Sequence, residues 1–312
     1  MKAAQISQYG HADQIMLREL VKPKPSKDQV LIEVHAASLN PFDSTVREGH
    51  VSKMMPLVLP VTLGGDVAGV VTKLGANVTG LAVGDRVYGQ ASVMGGGSGS
   101  LAEYAVTRAS QVAVLPAGLD FVQGAALPLT GQSALQVISG HMKLDVGQKI
   151  LIHGGAGGIG TMAIQLAKHI GAYVATTATG DGLAYVKELG ADKVIDYQTQ
   201  DFAKLVSDYD AVFDTVGGET YTRSFAVLKR GGIIVSMLVQ PNVELARKHG
   251  VVAIAQQTKT TTESLTELAN LAERGVLSTH VERVFPLTEV VPAFEAREAG
   301  NIRGKIVVKI RD

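Results

Sequence analysis

The hydrophobic pattern changes character at about residue 120. Before it, apolar residues come in short β-branched runs: "QVLIEVHAAS" (Gln29–Ser38), "DVAGVVTKLG" (Asp66–Gly75), "VGDRVYGQ" (Val83–Gln90) and "SLAEYAVT" (Ser100–Thr107). Gly, Pro or Asn punctuates the series, which predicts a β-rich region. After residue 120 strand-like and helix-like segments alternate. "KILIHGG", "AYVATT", "KVIDY", "DAVFDTV", "GGIIVSM" and "VVAIAQQ" are the predicted strands, with helices "TMAIQLAKHIG" and "GLAYVKELG" between the early ones. That rhythm predicts an α/β doubly wound parallel sheet with crossover helices. The end of the chain, "TESLTELANLAERG" and then "VERVFPL" and "GKIVVKI", reads helix, strand, helix, strand. The expected domains are therefore 1–120, completed by 260–312, and 121–259. "MGGGSGS" (Met94–Ser100) lies between strand-like runs and reads as a mobile loop, not an interdomain linker.

Composition narrows the function. The 29 Lys plus Arg balance 29 Asp plus Glu, so the basic excess of a nucleic-acid or anionic-membrane partner is missing. No uncharged apolar run suggests a membrane span. "MKAAQISQYG" has no hydrophobic signal core and is read as cytoplasmic sequence. There is no cysteine, which removes disulfides, thiol nucleophiles and cysteine-ligated zinc together. None of the eight histidines shows H-x-x-x-H spacing. His35 within a strand and His153 before the glycine turn are read as packing residues.

Gly155, Gly157 and Gly160 satisfy G-x-G-x-x-G, after the strand Lys149–His153 and ahead of the helix Thr161–Ile170. The first glycine permits the tight turn, the second lets backbone amides approach a pyrophosphate, and the third lets helix and strand pack closely. In an alternating strand–helix context this marks a dinucleotide site, with Ala156, Gly158 and Ile159 completing the turn. NAD enzymes place an acid about 20 residues on, at the end of the second strand. Here that strand ends in Thr176, Thr177, Ala178 and Thr179, with no carboxylate before Asp181. Small hydroxyls suit the extra phosphate of NADP(H), which is favoured. NAD(H) stays open because the first cation beyond is Lys187. No tyrosine has Lys four residues on, which excludes the Y-x-x-x-K site of short-chain reductases.

Over essentially its whole length the chain resembles the medium-chain dehydrogenase/reductase superfamily, in its zinc-independent quinone oxidoreductase and alkenal/enone reductase branch. "AASLNPFDSTVREG", "PVTLGGDVAGVV", "VGDRVYG", "AEYAV", "LPLTGQSA", "HGGAGGIG", "LGADKVIDY", "FDTVGG" and "RGKIVVKI" follow in family order. The resemblance implies a GroES-like catalytic domain plus a Rossmann domain. Zinc enzymes of the superfamily have Cys where Asn40 lies and "GHE" where this chain has Gly64-Gly65-Asp66, so no zinc is expected. Tyr197 matches a position against the adenosine half of the cofactor, and Thr130, Met237 and Leu238 match positions facing the nicotinamide. Some quinone reductases carry tyrosines where Thr45 and Val51 stand, and NADP-dependent relatives often carry Arg or Lys near Asp181. Arg303 and Lys305 are candidate compensating cations; a surface turn and a strand end are the plainer readings. Asp214 and Val216 lie at a strand's C-terminal end, where such sheets bind ligands. "VVAIAQQ" is expected at the sheet edge, which in this superfamily commonly pairs in a homodimer.

Without a metal Lewis acid, reducing an electron-poor acceptor is easier than oxidising an alcohol. The protein then positions the acceptor and hydrogen-bonds the oxygen that gains charge. Asn40 is the first candidate donor and is also a candidate cofactor contact, against a plainer role as a turn residue before Pro41. Thr45 is a second, with Ser44 beside it. Asp43 and Arg47 are expected to hold the loop by local pairing, and Thr130 also reads as a helix N-cap. The expected function is NADP(H)-dependent reduction of a small apolar quinone or conjugated enal or enone. The alternatives are an enoyl-thioester reductase on the same scaffold, or a nucleotide-binding structural or sensor protein without turnover.

Overall fold

The strand Gln29–Leu39 organises the first unit, because all eleven of its residues are buried or half-buried. In the computed structural model, which describes residues 1–311, this unit comprises Met1–Leu129, Thr260–Glu273 and the chain from Thr279. Its seven-stranded sheet runs in the order Val281–Pro286, Lys305–Lys309, Gln29–Leu39, Asp66–Leu74, Arg86–Gln90 and Val112–Val114, and Tyr104–Arg108 also pairs with Gln29–Leu39. A smaller three-stranded sheet joins Met16–Glu19, Lys2–Ile6 and Val61–Thr62. Strand register sets the neighbours of the candidate residues. Asp66 lies opposite Ser38 on one side and Gln90 on the other. Leu39 lies opposite Ile306, which brings Lys305 beside Asn40.

The helix Phe121–Ala126 packs on this sheet, so the unit extends past residue 120. The Phe121 ring stacks on His35 at 4.2 Å. A Cβ at Gly124 would lie 2.4 Å from Leu115 Cδ1, so a larger residue there would push that side-chain end aside. The "MGGGSGS" segment is an ordered turn. Gly99 donates its N–H to the Ala91 carbonyl at 2.8 Å, just past the strand Arg86–Gln90, and Ser98 donates to the Val106 carbonyl at 3.0 Å. A side chain at Gly97 would meet the Ala91 carbonyl at 2.3 Å.

The second unit, Thr130–Lys259 with Arg274–Ser278, holds a six-stranded parallel sheet. Its order is Lys193–Asp196, Tyr173–Ala178, Lys149–Ile152, Tyr209–Asp214, Leu228–Ser236 and Val252–Ala255. Counted along the chain this is 3-2-1-4-5-6, the doubly wound order whose reversal point binds ligands at the strands' C-terminal ends. Val252–Ala255 is the edge strand, as its sequence position suggests. The helix Gly158–Ile170 begins within the glycine motif, three residues earlier than the apolar pattern shows, and ends at Gly171 with φ 92°. It buries Met162, Ala163, Ile164, Leu166 and Ala167, the face its apolar spacing selects. Among the described residues no helix is long and apolar enough to cross a membrane.

Candidate active site

In the first unit the register gathers a buried polar cluster around Asn40. This residue ends the long strand and precedes the helix Pro41–Arg47. Its backbone N–H donates to Asp43 Oδ2 at 2.7 Å. Its side-chain Nδ2 donates to Asp66 Oδ2 at 2.8 Å, and its Oδ1 accepts from the Lys305 ammonium. An ammonium can only donate and a carboxylate only accept, so the amide has a single orientation. One Nδ2 hydrogen remains beyond the Asp66 bond.

Asp66 is fully buried and fully satisfied. Oδ2 also accepts from Ser38 Oγ at 3.0 Å, while Oδ1 accepts from Gln90 Nε2 and from the Leu129 N–H, both at 3.1 Å. Lys305 stands 3.6 Å from it and donates to the Leu39 carbonyl at 2.8 Å. Lys305 is thus an interior cation. Burial pulls its pKa below the usual lysine value, against the attraction of Asp66 and Asp43. Arg303, by contrast, forks onto Glu282 with bonds of 2.8 and 3.1 Å.

Asp43 is also buried, and desolvation raises its pKa to about 7. The Asn40 N–H, Lys305 and Arg297 oppose that rise, and Asp66 adds to it. Asp43 and Arg47 do hold this segment, but not by pairing with each other. The Arg47 side chain, with no exposed surface, donates Nε to the Gly10 carbonyl at 2.9 Å and a terminal nitrogen to Glu298 at 2.6 Å. Ser44 Oγ donates to the same Glu298 oxygen at 2.6 Å. Thr45, half-buried, donates to the Pro41 carbonyl at 3.3 Å.

In the second unit the glycines of the motif separate by cause. A Cβ at Gly155 would meet Thr176 Oγ1 at 2.0 Å, and one at Gly160 would meet the Gly154 carbonyl at 2.3 Å. Packing demands both. At Gly157 a Cβ would touch only the Gly154 carbonyl, at 3.4 Å, and φ is an ordinary −74°. The fold does not require glycine there, whereas close approach of a phosphate to the backbone does. No side chain caps that helix N-terminus. The turn therefore fits a dinucleotide, with Gly155–Gly160 as its cradle.

Thr176 and Thr177 shape this cradle. Thr176 Oγ1 donates to the Ile152 carbonyl at 2.7 Å, and Thr177 Oγ1 accepts from the Gly154 N–H at 3.1 Å. Both threonines are buried, and Thr179 is the half-buried hydroxyl beyond them. Tyr197 is exposed past the next strand. Asp214, fully buried, fixes two more strand ends. Its Oδ1 accepts from the N–H groups of Val216 and Gly217 at 3.0 and 2.9 Å, and its Oδ2 from Ser236 Oγ at 2.6 Å. Ser236 Oγ in turn accepts from the Leu238 N–H at 3.2 Å, and Met237 donates its N–H to the Asp214 carbonyl at 3.0 Å. Val216, Met237 and Leu238 so stand on backbone held by Asp214, through its carboxylate, its main-chain carbonyl and Ser236 respectively. Thr130 lies inside the helix Pro128–Leu135 and is not its N-cap. Pro128 begins that helix, and Asp66 takes the Leu129 N–H. His153 is buried, 2.9 Å from Ser224 Oγ and 3.3 Å from Thr177 Oγ1; desolvation lowers its pKa to about 4.

Residues 26–117 match the family described as "Alcohol dehydrogenase GroES-like domain", and residues 189–308 match "Zinc-binding dehydrogenase". The chain is 36% identical to "NADPH-dependent alkenal/one oxidoreductase, chloroplastic" of Arabidopsis thaliana, over 99% of this chain and 79% of that protein. The structure of a quinone oxidoreductase from Coxiella burnetii is similar with a TM-score of 0.91 and 37% identity, covering 100% of this chain and 99% of that one. That of Escherichia coli quinone oxidoreductase complexed with NADPH gives 0.90 and 26%, covering 99% and 100%. The chain belongs to the medium-chain dehydrogenase/reductase superfamily, in the branch of quinone and alkenal/enone oxidoreductases.

The residues present do not fit the zinc of the second family description. Asn40 and Gly65 stand where zinc enzymes carry ligands, and the Lys305 ammonium binds Asn40 directly. Among the described residues no group of three or more His, Asp or Glu side chains could hold a metal ion.

Proposed function

We propose that this protein is an NADPH-dependent, metal-free reductase of quinones or α,β-unsaturated aldehydes and ketones. The observation that carries the reading is the Asn40 amide. Its orientation is fixed by Lys305 and Asp66, and it keeps one hydrogen for an acceptor oxygen. Such a donor, already in place, stabilises the negative charge that builds on a conjugated oxygen during reduction. The ammonium on its carbonyl side polarises the amide and strengthens that donor.

NADPH, when bound, supplies the hydride. Gly155–Gly160 would hold its pyrophosphate, with Val216, Met237 and Leu238 on the nicotinamide side and Tyr197 on the adenosine side. NADP(H) is preferred to NAD(H) because relatives are named for NADPH and no acid ends the strand Tyr173–Ala178. Thr45 is a second donor for the acceptor, its hydroxyl turning from the Pro41 carbonyl to reach it. The edge strand Val252–Ala255 supports pairing with a second copy as a homodimer, since an unpaired edge invites a further strand. The similarity to alkenal and quinone reductases disfavours a thioester substrate and a non-catalytic role.

The test is NADPH consumption by chelator-treated protein, with a short enal beside a simple quinone. Loss of reduced-cofactor absorbance with either supports the reading. Silence with both, under NADPH and NADH alike, overturns it.

A further inference from the structure

Reduction by hydride leaves one requirement that Asn40 does not meet: a proton must reach the product. Two observations in the first unit bear on its source. Asp43 Oδ2 is occupied by the Asn40 N–H at 2.7 Å, which leaves Oδ1 to carry a proton. Oδ1 faces Gly65, whose missing side chain leaves space between it and Ser92. A Cβ built there would lie 3.9 Å from Asp43 Oδ1 and 3.8 Å from Ser92 Cβ, touching nothing closer. Packing does not demand glycine at this position, unlike Gly64, where a Cβ would meet Ser100 Oγ at 2.5 Å.

We propose that Asp43 is the proton source of the reaction, releasing its proton from Oδ1 into the space that Gly65 leaves open. The proposal rests on the reductase reading above and supplies the acid that reading lacks. The O–H bond of Asp43 breaks, its electron pair stays on the carboxylate, and a C–H or O–H bond forms on the reduced acceptor. The hydride and both electrons come from the nicotinamide, and solvent returns a proton to Asp43. Three charged groups from three elements face Asp43: Asp66 from the neighbouring strand, Lys305 from the C-terminal strand and Arg297 from the helix Val290–Glu298. The two cations steady the carboxylate after release, while burial and Asp66 favour its reprotonation. The resulting pKa of about 7 suits a group that must both give and regain a proton near neutrality.

The experiment compares wild type, Asp43→Asn and Gly65→Ala. An Asn at 43 can still accept the Asn40 N–H, so helix capping is preserved. The first readout needs no turnover: an infrared carboxylic-acid carbonyl band that titrates near pH 7 in wild type and is missing in Asp43→Asn. The second is kcat against pH with an enone. Wild-type kcat is expected to fall as pH rises through about 7. Asp43→Asn should be slower by ~100-fold or more, flat across that range, with NADPH affinity unchanged. Gly65→Ala should keep the infrared band but lose about tenfold or more in kcat, a loss of the kind small misplacements bring. No titrating band, or an Asp43→Asn enzyme with wild-type rate and pH profile, overturns the assignment. Wild-type rates in Gly65→Ala overturn the route. Failure of wild type itself to reduce any acceptor, with the band present, would instead strike the reductase reading.

Discussion

Asn40 donates its side-chain amide to Asp66 across 2.8 Å, and Asp66 also holds the N–H of Leu129 at 3.1 Å. One carboxylate therefore aims the candidate oxyanion donor and caps the helix Pro128–Leu135. Replacing Asn40 with Ala removes the donor and leaves Asp66 with its other partners. The expected result is a kcat about 100-fold lower or worse, with NADPH affinity close to wild type. Steady-state kinetics beside a cofactor titration separate the two.

Lys305 compensates two buried carboxylates, Asp66 and Asp43. Lys305→Met keeps the bulk of the side chain but leaves that charge unpaired. Breaking one partner of a buried ionic cluster is expected to destabilise by about 3–5 kcal/mol. Chemical denaturation of the variant measures this. An Arg303→Met variant, which loses a half-exposed pair with Glu282, should change stability by about 1 kcal/mol or less.

The glycine turn gives a paired test. Gly160→Ala places a Cβ 2.3 Å from the Gly154 carbonyl and 2.6 Å from Gly155 Cα. Backbone must move, so stability should drop by about 2 kcal/mol or more. Gly157→Ala meets only a 3.4 Å contact and should melt like wild type, yet bind NADPH at least ~10-fold more weakly because its methyl crowds the phosphates. Melting curves with and without NADPH distinguish these outcomes.

His153 makes stability depend on pH in the acid range. Its folded pKa, about 4, lies below the ordinary histidine value of 6.5. Protonation is thus harder in the folded protein than in the unfolded chain. The contribution is present above pH 6.5 and is lost as pH falls towards 4. Asp43 runs the other way: its raised pKa makes stability fall as pH rises from about 4 to about 7. Between about pH 4 and 6.5 the two oppose each other, so His153→Phe should make the melting temperature fall more steeply with rising pH there, and Asp43→Asn should make it rise.

The two folds and the glycine turn are readable from sequence because they rest on local signals: strand runs, alternation and glycine spacing. The polar cluster is not. Asn40 meets Asp66 from 26 residues away and Lys305 from 265, so sheet register, which no local pattern carries, creates it. Arg47 illustrates the same limit, since its partner Glu298 is 251 residues distant. Gln90 and Ser38 give no signal beyond ordinary strand residues, yet both bind Asp66. Thr130 reads as a cap in sequence but is none, because Asp66, from a distant strand, meets the N–H that a local cap would take.

The most direct measurement follows the hydride itself. NADPH carrying deuterium at C4 of the nicotinamide ring would be consumed with an enone, and the product examined by mass spectrometry and NMR. The expected product carries one deuterium, on the carbon β to the carbonyl. Cofactor oxidation without deuterium in the product, or no oxidation at all, would contradict a metal-free hydride-transferring reductase.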